Sequence, residues 1–230
     1  MKIQEITKLS QRDFPGGKDE LQYNRKDLQG LKPLPGGSGF QYNVVDGNRN
    51  PTIQIWDPEG PDAEPNSPQL IGELATFSME KTFPIKDALT VASINVDEDY
   101  RGKGIAKSLY GIILSILKRT LVSGFEQTPG GRRNWLSLSK IPGVELGGYL
   151  AIKDTVIDDS DIDTLMGKLG AQYIGDTKIY GSQYRYFSFA VQSANSGREL
   201  EATVKTRLSK LYDGEDLRVR TGMYATWQGE

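Results

Sequence analysis

Apolar and polar positions along the first half of the chain form short runs that predict β-strands. The turn sequence Asp46-Gly47-Asn48 predicts a hairpin between the first two runs. The fourth run is almost entirely apolar, which is typical of a central strand buried on both faces. The predicted strands of this half are Phe40–Asp46, Thr52–Trp56, Leu70–Phe77 and Leu89–Val96.

Helical spacing replaces this pattern after residue 104. Apolar residues recur there at Ile105, Leu109, Ile112, Ile113, Ile116 and Leu117. Thr128-Pro129 predicts the start of a second helix, and Pro142-Gly143 its end. Further helices are predicted over Asp161–Leu169 and along Leu200–Leu211, and further strands over Leu121–Phe125, Val144–Ile152 and Tyr184–Val191. Strands and helices in this order predict a mixed α/β (α+β) fold, with a central sheet flanked by helices.

Turn-forming residues divide the chain. Pro15-Gly16-Gly17 and Pro33-Leu34-Pro35-Gly36-Gly37 indicate that residues 1–36 form an irregular arm. Residues 37–153 hold the predicted core, and residues 154–230 are expected to complete or extend the same domain. Within the core, residues 57–68 contain four prolines and no periodicity, so we expect an exposed loop that contributes to substrate choice.

Two missing residue types restrict the chemistry. The 230 residues include no cysteine and no histidine, which excludes disulfides, thiolate metal sites, cysteine nucleophiles and the Ser-His-Asp triad. No metal site is predicted, because the acidic run Asp158–Asp163 lacks the glycine and glutamate of an EF-hand and is expected to cap a helix instead.

Charge and hydropathy limit the partners and the location. A formal net charge of −2 does not favour nucleic acid. Residues 1–20 lack the apolar run of a signal peptide, and no apolar run reaches the length of a membrane span. We therefore expect a cytoplasmic protein with no membrane partner.

The segment from Ala92 to Ala106 carries the clearest chemical signal. A buried strand leads into a glycine loop, and the loop opens an amphipathic helix. Gly102 and Gly104 allow the backbone to approach a ligand, and Arg101 and Lys103 add positive charge. This arrangement predicts an anion site suited to a pyrophosphate. The Walker pattern is absent, and the dinucleotide fingerprint fails because Lys107 stands where its third glycine would be.

The pattern Arg101-x-x-Gly104-x-Ala106 resembles the Arg/Gln-x-x-Gly-x-Gly/Ala motif of the GNAT N-acetyltransferases, and the resemblance extends over residues 38–152. It implies a GNAT-type sheet and acetyl-CoA, or another acyl-CoA, as cofactor. The loop amides would hold the pyrophosphate, and the preceding strand would pair with the pantetheine arm. Thr128 matches the position at which the family often has asparagine, at the start of the next helix. The implied cofactor-binding residues are Ile94, Val96, Arg101, Gly102, Lys103, Gly104, Ile105, Ala106 and Thr128.

The catalytic residues depart from the family pattern. Ile94 occupies the position of the glutamate base found in some members, and Trp135 that of the common tyrosine acid. We interpret Trp135 as a core residue. The remaining candidates are Glu73, acting as a base through water, with Ser93 and Asn95 on the central strand. The amide of Asn95 or Val96 would polarise the thioester carbonyl.

Three functions follow from the resemblance. The first is transfer of an acetyl group to a primary amine on a protein, peptide or small molecule. The second is a non-catalytic acyl-CoA-binding module, which the loss of the usual glutamate and tyrosine favours. The third is modification of a nucleic-acid base, which the acidic balance disfavours. The sequence names neither the acceptor nor the oligomeric state.

Overall fold

The structure is a computed structural model that describes most of the chain. The described residues are 28, 30–45, 47, 49–64, 67–124, 129–153, 158–179, 181–193, 195–210 and 217–229, with residues 129 and 130 described by their backbone only. Most of the predicted arm, two residues of the predicted hairpin turn (Asp46 and Asn48) and Thr128 lie outside these ranges.

The chain divides into two compact units. The first comprises Met1–Phe77 and Val91–Ile112, and the second comprises Ser78–Thr90 and Ile113–Glu230. The domain bounds proposed from the sequence, 1–36, 37–153 and 154–230, remain a prediction.

The strands of the first unit are neighbours in chain order. They are β1 (Lys32–Pro33), β2 (Gln41–Val45), β3 (Thr52–Asp57), β4 (Gln69–Ser78) and β5 (Ala88–Val96). Strands β1 to β4 pair antiparallel, and Asp97 N donates a hydrogen bond to Ile71 O beside the end of β5. The four strands predicted in this half are confirmed, with ends within two residues of those expected.

Helix α1 (Ile105–Gly111) follows the loop after β5 and continues as a wider π-helical turn, Ile112–Ile116. Helical structure after residue 104 is therefore confirmed, although its second half does not keep α-helical geometry. Ile105 and Leu109 are buried on the face that meets β4 at Gly72. Because glycine has no Cβ, the helix approaches the strand closely at this point.

The second unit contains the mixed part of the sheet. The first three residues of β5 pair in parallel with β6 (Thr120–Val122). The order then runs through β10 (Val219–Trp227), β7 (Val144–Lys153), β9 (Ser182–Ala190) and β8 (Gln172–Ile179), all antiparallel to their neighbours. The helices are α2 (Pro129–Leu138), α3 (Asp159–Lys168) and α4 (Ser196–Leu208). Parallel and antiparallel strands together with these helices confirm the predicted mixed α/β class.

Both faces of this part of the sheet are buried. On one face, Leu150, Phe187 and Val219 pack with residues of α3 and α4, among them Met166 and Val204. On the opposite face, Phe83 packs edge to face on Tyr149 and Tyr186, with ring centroids 4.9 and 5.4 Å apart. Along β7 and along β9, alternate residues belong to these two packed groups, because successive side chains of a strand point to opposite faces of the sheet.

Strands β1, β8 and β10 were not predicted from the sequence, and β1 lies within the arm that was expected to be irregular. The side chains of β10 alternate between buried and half-buried positions along Val219–Trp227, and Thr221 and Ala225 occupy two of the buried ones. These two residues add little hydrophobic contrast, so the alternation is weak in the sequence although it is regular in the structure.

Candidate functional site

The loop that joins β5 to α1 is shaped by its first residue and by two glycines. Asp97 Oδ1 accepts a hydrogen bond from Asp99 N at 2.9 Å and caps a short 3₁₀ turn over Glu98–Tyr100. Gly102 and Gly104 then adopt φ angles of 79° and 84°, a region that favours glycine. The two glycines predicted to turn the loop therefore do so.

The backbone amides of this loop are open on one side. The N–H groups of Gly102, Gly104, Ile105, Ala106 and Lys107 donate no hydrogen bond within the described chain. A Cβ atom at Gly102 or Gly104 would meet nothing within 4 Å. Adjacent free amides before a helical stretch favour a negatively charged ligand. These open amides, which we call the anion cradle, are backbone donors that a bound anion could use.

Two cationic side chains border the open amides. Arg101 Nη1 lies 3.2 Å from Glu98 Oε1, and Arg101 Nε donates to Val96 O at 3.4 Å. The Lys103 ammonium lies 4.6 Å from the centroid of the Tyr100 ring. Because the Arg101–Glu98 pair is solvent-exposed, it contributes little energy and can exchange for a phosphate.

Tyr100 is the buried residue of the loop. Its hydroxyl donates to Asp57 Oδ2 at 2.7 Å, and its ring meets the edge of Phe40 at a centroid distance of 6.0 Å. Burial, followed by the hydrogen bond to Asp57, raises the pKa of the phenol above its ordinary value of 10.0. Tyr100 therefore stays protonated and holds the loop as a hydrogen-bond donor.

The strand that precedes the loop is less buried than the sequence indicates. Only Ala88 and Leu89 of β5 are fully buried, whereas residues 90–96 are half-buried. Parallel pairing with β6 stops at Thr90 and Val122. Within the first unit, β4 lies along one edge of residues 91–96, and no described strand of that unit pairs with the other edge. The prediction of a strand buried on both faces is therefore wrong for residues 90–96, whose side chains are only half-buried.

The predicted catalytic residues lie on two neighbouring strands. Ser93 and Asn95 are half-buried on β5, and Glu73 is half-buried near the middle of β4. A Glu73 carboxylate oxygen accepts from Gln54 Nε2 at 3.0 Å, across the β3–β4 pair. The catalytic role of Glu73 remains a prediction.

Sequence reasoning did not identify Gln54. Its side chain is only 2% exposed, and its Oε1 atom has no hydrogen-bond partner among the described residues. A polar residue within the apolar run Ile53–Trp56 was the available signal. The buried amide donates to Glu73 and thereby fixes the orientation of that carboxylate.

Two predicted positions belong to α2 and the residues before it. Trp135 is buried at 6% exposure in the second unit, which agrees with its interpretation as a core residue. Thr128 lies outside the described residues, so its proposed cofactor contact stays a prediction.

No helix in the described part of the chain is long and apolar enough to cross a membrane.

Comparison with known proteins finds no matching family model and no matching curated protein. Several solved structures do match. The ribosomal-protein-S18-alanine N-acetyltransferase from Escherichia coli is 14% identical, with 64% of this chain and 76% of that chain covered and a TM-score of 0.24. An N-acetyltransferase from Staphylococcus aureus Mu50 is 16% identical, with 61% of this chain and 67% of that chain covered and a TM-score of 0.22.

A third structure, from Bacteroides thetaiotaomicron, is assigned to the GNAT family of acetyltransferases. It is 13% identical, with 90% of this chain and 89% of that chain covered and a TM-score of 0.27. TM-scores of this size carry no argument about activity, so the case for a function rests on the chain's own residues.

Proposed function

We propose that this chain is a GNAT-type N-acetyltransferase that binds acetyl-CoA at the loop Arg101–Ala106 and transfers the acetyl group to a primary amine. The observation that carries this proposal is the run of open amides at Gly102, Gly104, Ile105, Ala106 and Lys107. A pyrophosphate offers several acceptor oxygens, which suit such a run better than a single carboxylate does.

The half-buried segment of β5 supports a binding position for the pantetheine arm of the cofactor. Residues 91–96 have a neighbouring strand on one edge within the first unit and lead directly into the loop. An extended pantetheine arm that carries amide groups can pair with the other edge at Ile94 and Val96, as a peptide adds to a sheet. The thioester would then lie along β5, where Ser93 and Asn95 project from the strand.

The proposed reaction is a direct transfer. The thioester supplies an activated acetyl group, and the nitrogen of the neutral amine attacks its carbonyl carbon. The C–N bond forms, the C–S bond breaks and CoA leaves as a thiolate, which takes a proton from solvent. The amide N–H of Val96, which faces away from β4 because Asp97 N bonds to Ile71 O of that strand, stabilises the oxyanion. The proton lost by the amine passes through water to the Glu73 carboxylate.

Gln54 supports the proposed role of Glu73. Its amide occupies one side of the carboxylate and orients it, while Glu73 itself remains half-buried and open to water. A carboxylate held in one orientation accepts a proton in a fixed geometry, which is what general-base catalysis requires.

Thermal unfolding with acetyl-CoA tests the binding step. A ligand at one hundred times its Kd stabilises the folded state by about 2.7 kcal/mol, which corresponds to a rise in Tm of roughly 5–10 °C for a chain of this size. We expect this rise in the wild type and its loss in Gly104→Glu, because the substitution adds a negative charge next to the open amides and repels the phosphates.

Gly170→Glu is the matched control. Gly170 has a φ of 72°, meets nothing within 4 Å and is exposed, so the substitution imposes a similar backbone strain. It lies in the second unit, after α3. We expect Gly170→Glu to lower Tm to a similar extent while keeping the acetyl-CoA shift. The proposal fails if the wild type shows no shift at millimolar acetyl-CoA, or if Gly104→Glu keeps the shift.

A non-catalytic acyl-CoA-binding module is the second candidate. The buried indole of Trp135 favours it, because the family's usual acid is replaced there by a core residue. Both candidates predict the acetyl-CoA shift. Release of free CoA during incubation with a panel of primary amines, followed by mass spectrometry of the products, separates them, since only an enzyme yields acetylated amine.

A further inference from the structure

The first unit contains an acidic loop, residues 57–64, that is bound to the glycine loop, residues 97–104, by side-chain hydrogen bonds. The Tyr100 hydroxyl donates to Asp57 Oδ2 at 2.7 Å. Gln69 Nε2 lies 3.3 Å from Asp97 Oδ2 and 3.4 Å from Asp62 Oδ2, and Gln69 Oε1 accepts from Asp62 N at 3.3 Å. The two loops are thus joined directly by the Tyr100–Asp57 hydrogen bond and indirectly through Gln69 of β4.

Asp57 and Asp97 each accept hydrogen bonds at both carboxylate oxygens. Asp57 Oδ1 accepts from Glu59 N at 2.9 Å, so one oxygen shapes the acidic loop while the other holds Tyr100. Asp97 Oδ1 accepts a hydrogen bond from Asp99 N, and Asp97 Oδ2 accepts one from Gln69 Nε2. A carboxylate bound at both oxygens has a fixed orientation, so movement of one loop is transmitted to the other.

Packing closes the space between the loops. Gly60 is buried, and a Cβ atom there would collide with the Gln69 side chain and approach the Tyr100 hydroxyl oxygen to 3.1 Å. The Tyr100 ring also lies under the Lys103 ammonium. Displacement of Tyr100 would therefore shift both the backbone of the glycine loop and one of its two cations.

We propose that Tyr100 and Asp57 are positioning residues that set the affinity of the glycine loop for the phosphates of coenzyme A, and that the acidic loop controls cofactor binding through them. This inference rests on the proposed function. The physical reason is preorganisation, because amides already held in the bound geometry lose less conformational entropy when the ligand arrives.

Calorimetric titration with coenzyme A tests the inference in the full chain. We expect Tyr100→Phe to raise Kd about three- to tenfold, the range of one hydrogen bond, while the ring keeps its contacts with Phe40 and Lys103. Tyr42→Phe is the matched control. Tyr42 is also buried in the first unit, and its hydroxyl makes no hydrogen bond within the described chain, so its Kd should match that of the wild type.

A double-mutant cycle shows whether the hydrogen bond itself is responsible. Asp57→Ala should also weaken binding, and adding Tyr100→Phe to Asp57→Ala should weaken it no further, because the bond is already absent. Additive effects would overturn the coupling. In turnover assays, Tyr100→Phe should raise KM for acetyl-CoA with kcat within about twofold, whereas simple loss of folded protein lowers kcat and leaves KM unchanged.

These measurements distinguish failure of the proposed function from failure of the positioning role. A wild type that binds no coenzyme A contradicts the proposed function. A wild type that binds, with Tyr100→Phe binding equally tightly, contradicts only the positioning role.

Discussion

Gly72 of β4 lies directly against Ile105 of α1, and a Cβ atom on the glycine would come within 2.6 Å of Ile105 Cγ2 and 3.4 Å of Leu109 Cδ1. This close approach seats the first turn of α1, and with it the end of the glycine loop, on the sheet of the first unit. The absence of one methyl group on β4 therefore helps to set the position of the anion cradle.

We predict that Gly72→Ala destabilises the protein by about 1–3 kcal/mol, because the added methyl overpacks a buried contact. Urea unfolding measures the change. The control is Gly111→Ala at the end of α1, where an added Cβ meets nothing within 4 Å. There alanine should be neutral or stabilising by up to about 1 kcal/mol, since it favours helix. Equal stability of Gly72→Ala and the wild type would show that α1 can move without cost.

Glu73→Gln should lower kcat about tenfold or more while leaving the Kd for acetyl-CoA unchanged, because only the proton acceptor is lost. Glutamine keeps an oxygen for the Gln54 amide, so the β3–β4 contact is retained. Steady-state kinetics and calorimetry measure the two quantities. Glu80→Gln, at an exposed carboxylate, is the control and should change neither. Unchanged turnover in Glu73→Gln would assign proton removal to bulk water.

Trp135→Ala should destabilise the protein by about 3–5 kcal/mol, because the side chain is buried and its removal leaves a cavity. Trp135→Phe retains most of the apolar volume and should keep both the fold and most of the acyl-transfer rate. Denaturant unfolding and turnover of the two variants test this. If Trp135→Phe folds normally but loses most of its activity, the indole has a role in the reaction.

The start of α3 predicts a pH dependence of stability. Hydrogen bonds from the Ser160 hydroxyl, and then from Ser160 N, lower the pKa of Asp158 below its ordinary value of 3.8. The ionised carboxylate therefore stabilises the folded state above about pH 4, and this contribution is lost as the pH falls through the lowered pKa.

Asp158→Asn keeps a capping side chain but removes the charge. We expect the wild type to have the higher Tm near pH 6, since the negative charge favours a helix N-terminus. The difference should shrink as the pH falls below about 4 and the carboxylate takes up a proton. Calorimetric scans of both proteins across this range are the measurement. A Tm difference that stays constant with pH would mean that the charge makes no contribution.

The local features of this protein could be predicted from its sequence. Gly102 and Gly104 turn the loop as expected, and Asp158 caps α3 as the acidic run indicated. These features depend on the conformational range of one residue, or on hydrogen bonds across two or three residues. Residue type alone is then sufficient information.

The tertiary structure decided which distant residues meet. Asp57 and Tyr100 are 43 positions apart, and Gln54 and Glu73 are 19 apart. Strand β10 lies between β6 and β7 although it comes last in the chain. Such partnerships arise from strand register and from the order in which strands join the sheet, and these depend on the free energy of the whole packed structure. The sequence alone therefore determined the turn of the glycine loop, whereas the residues that hold the loop and orient the candidate base were decided by the fold.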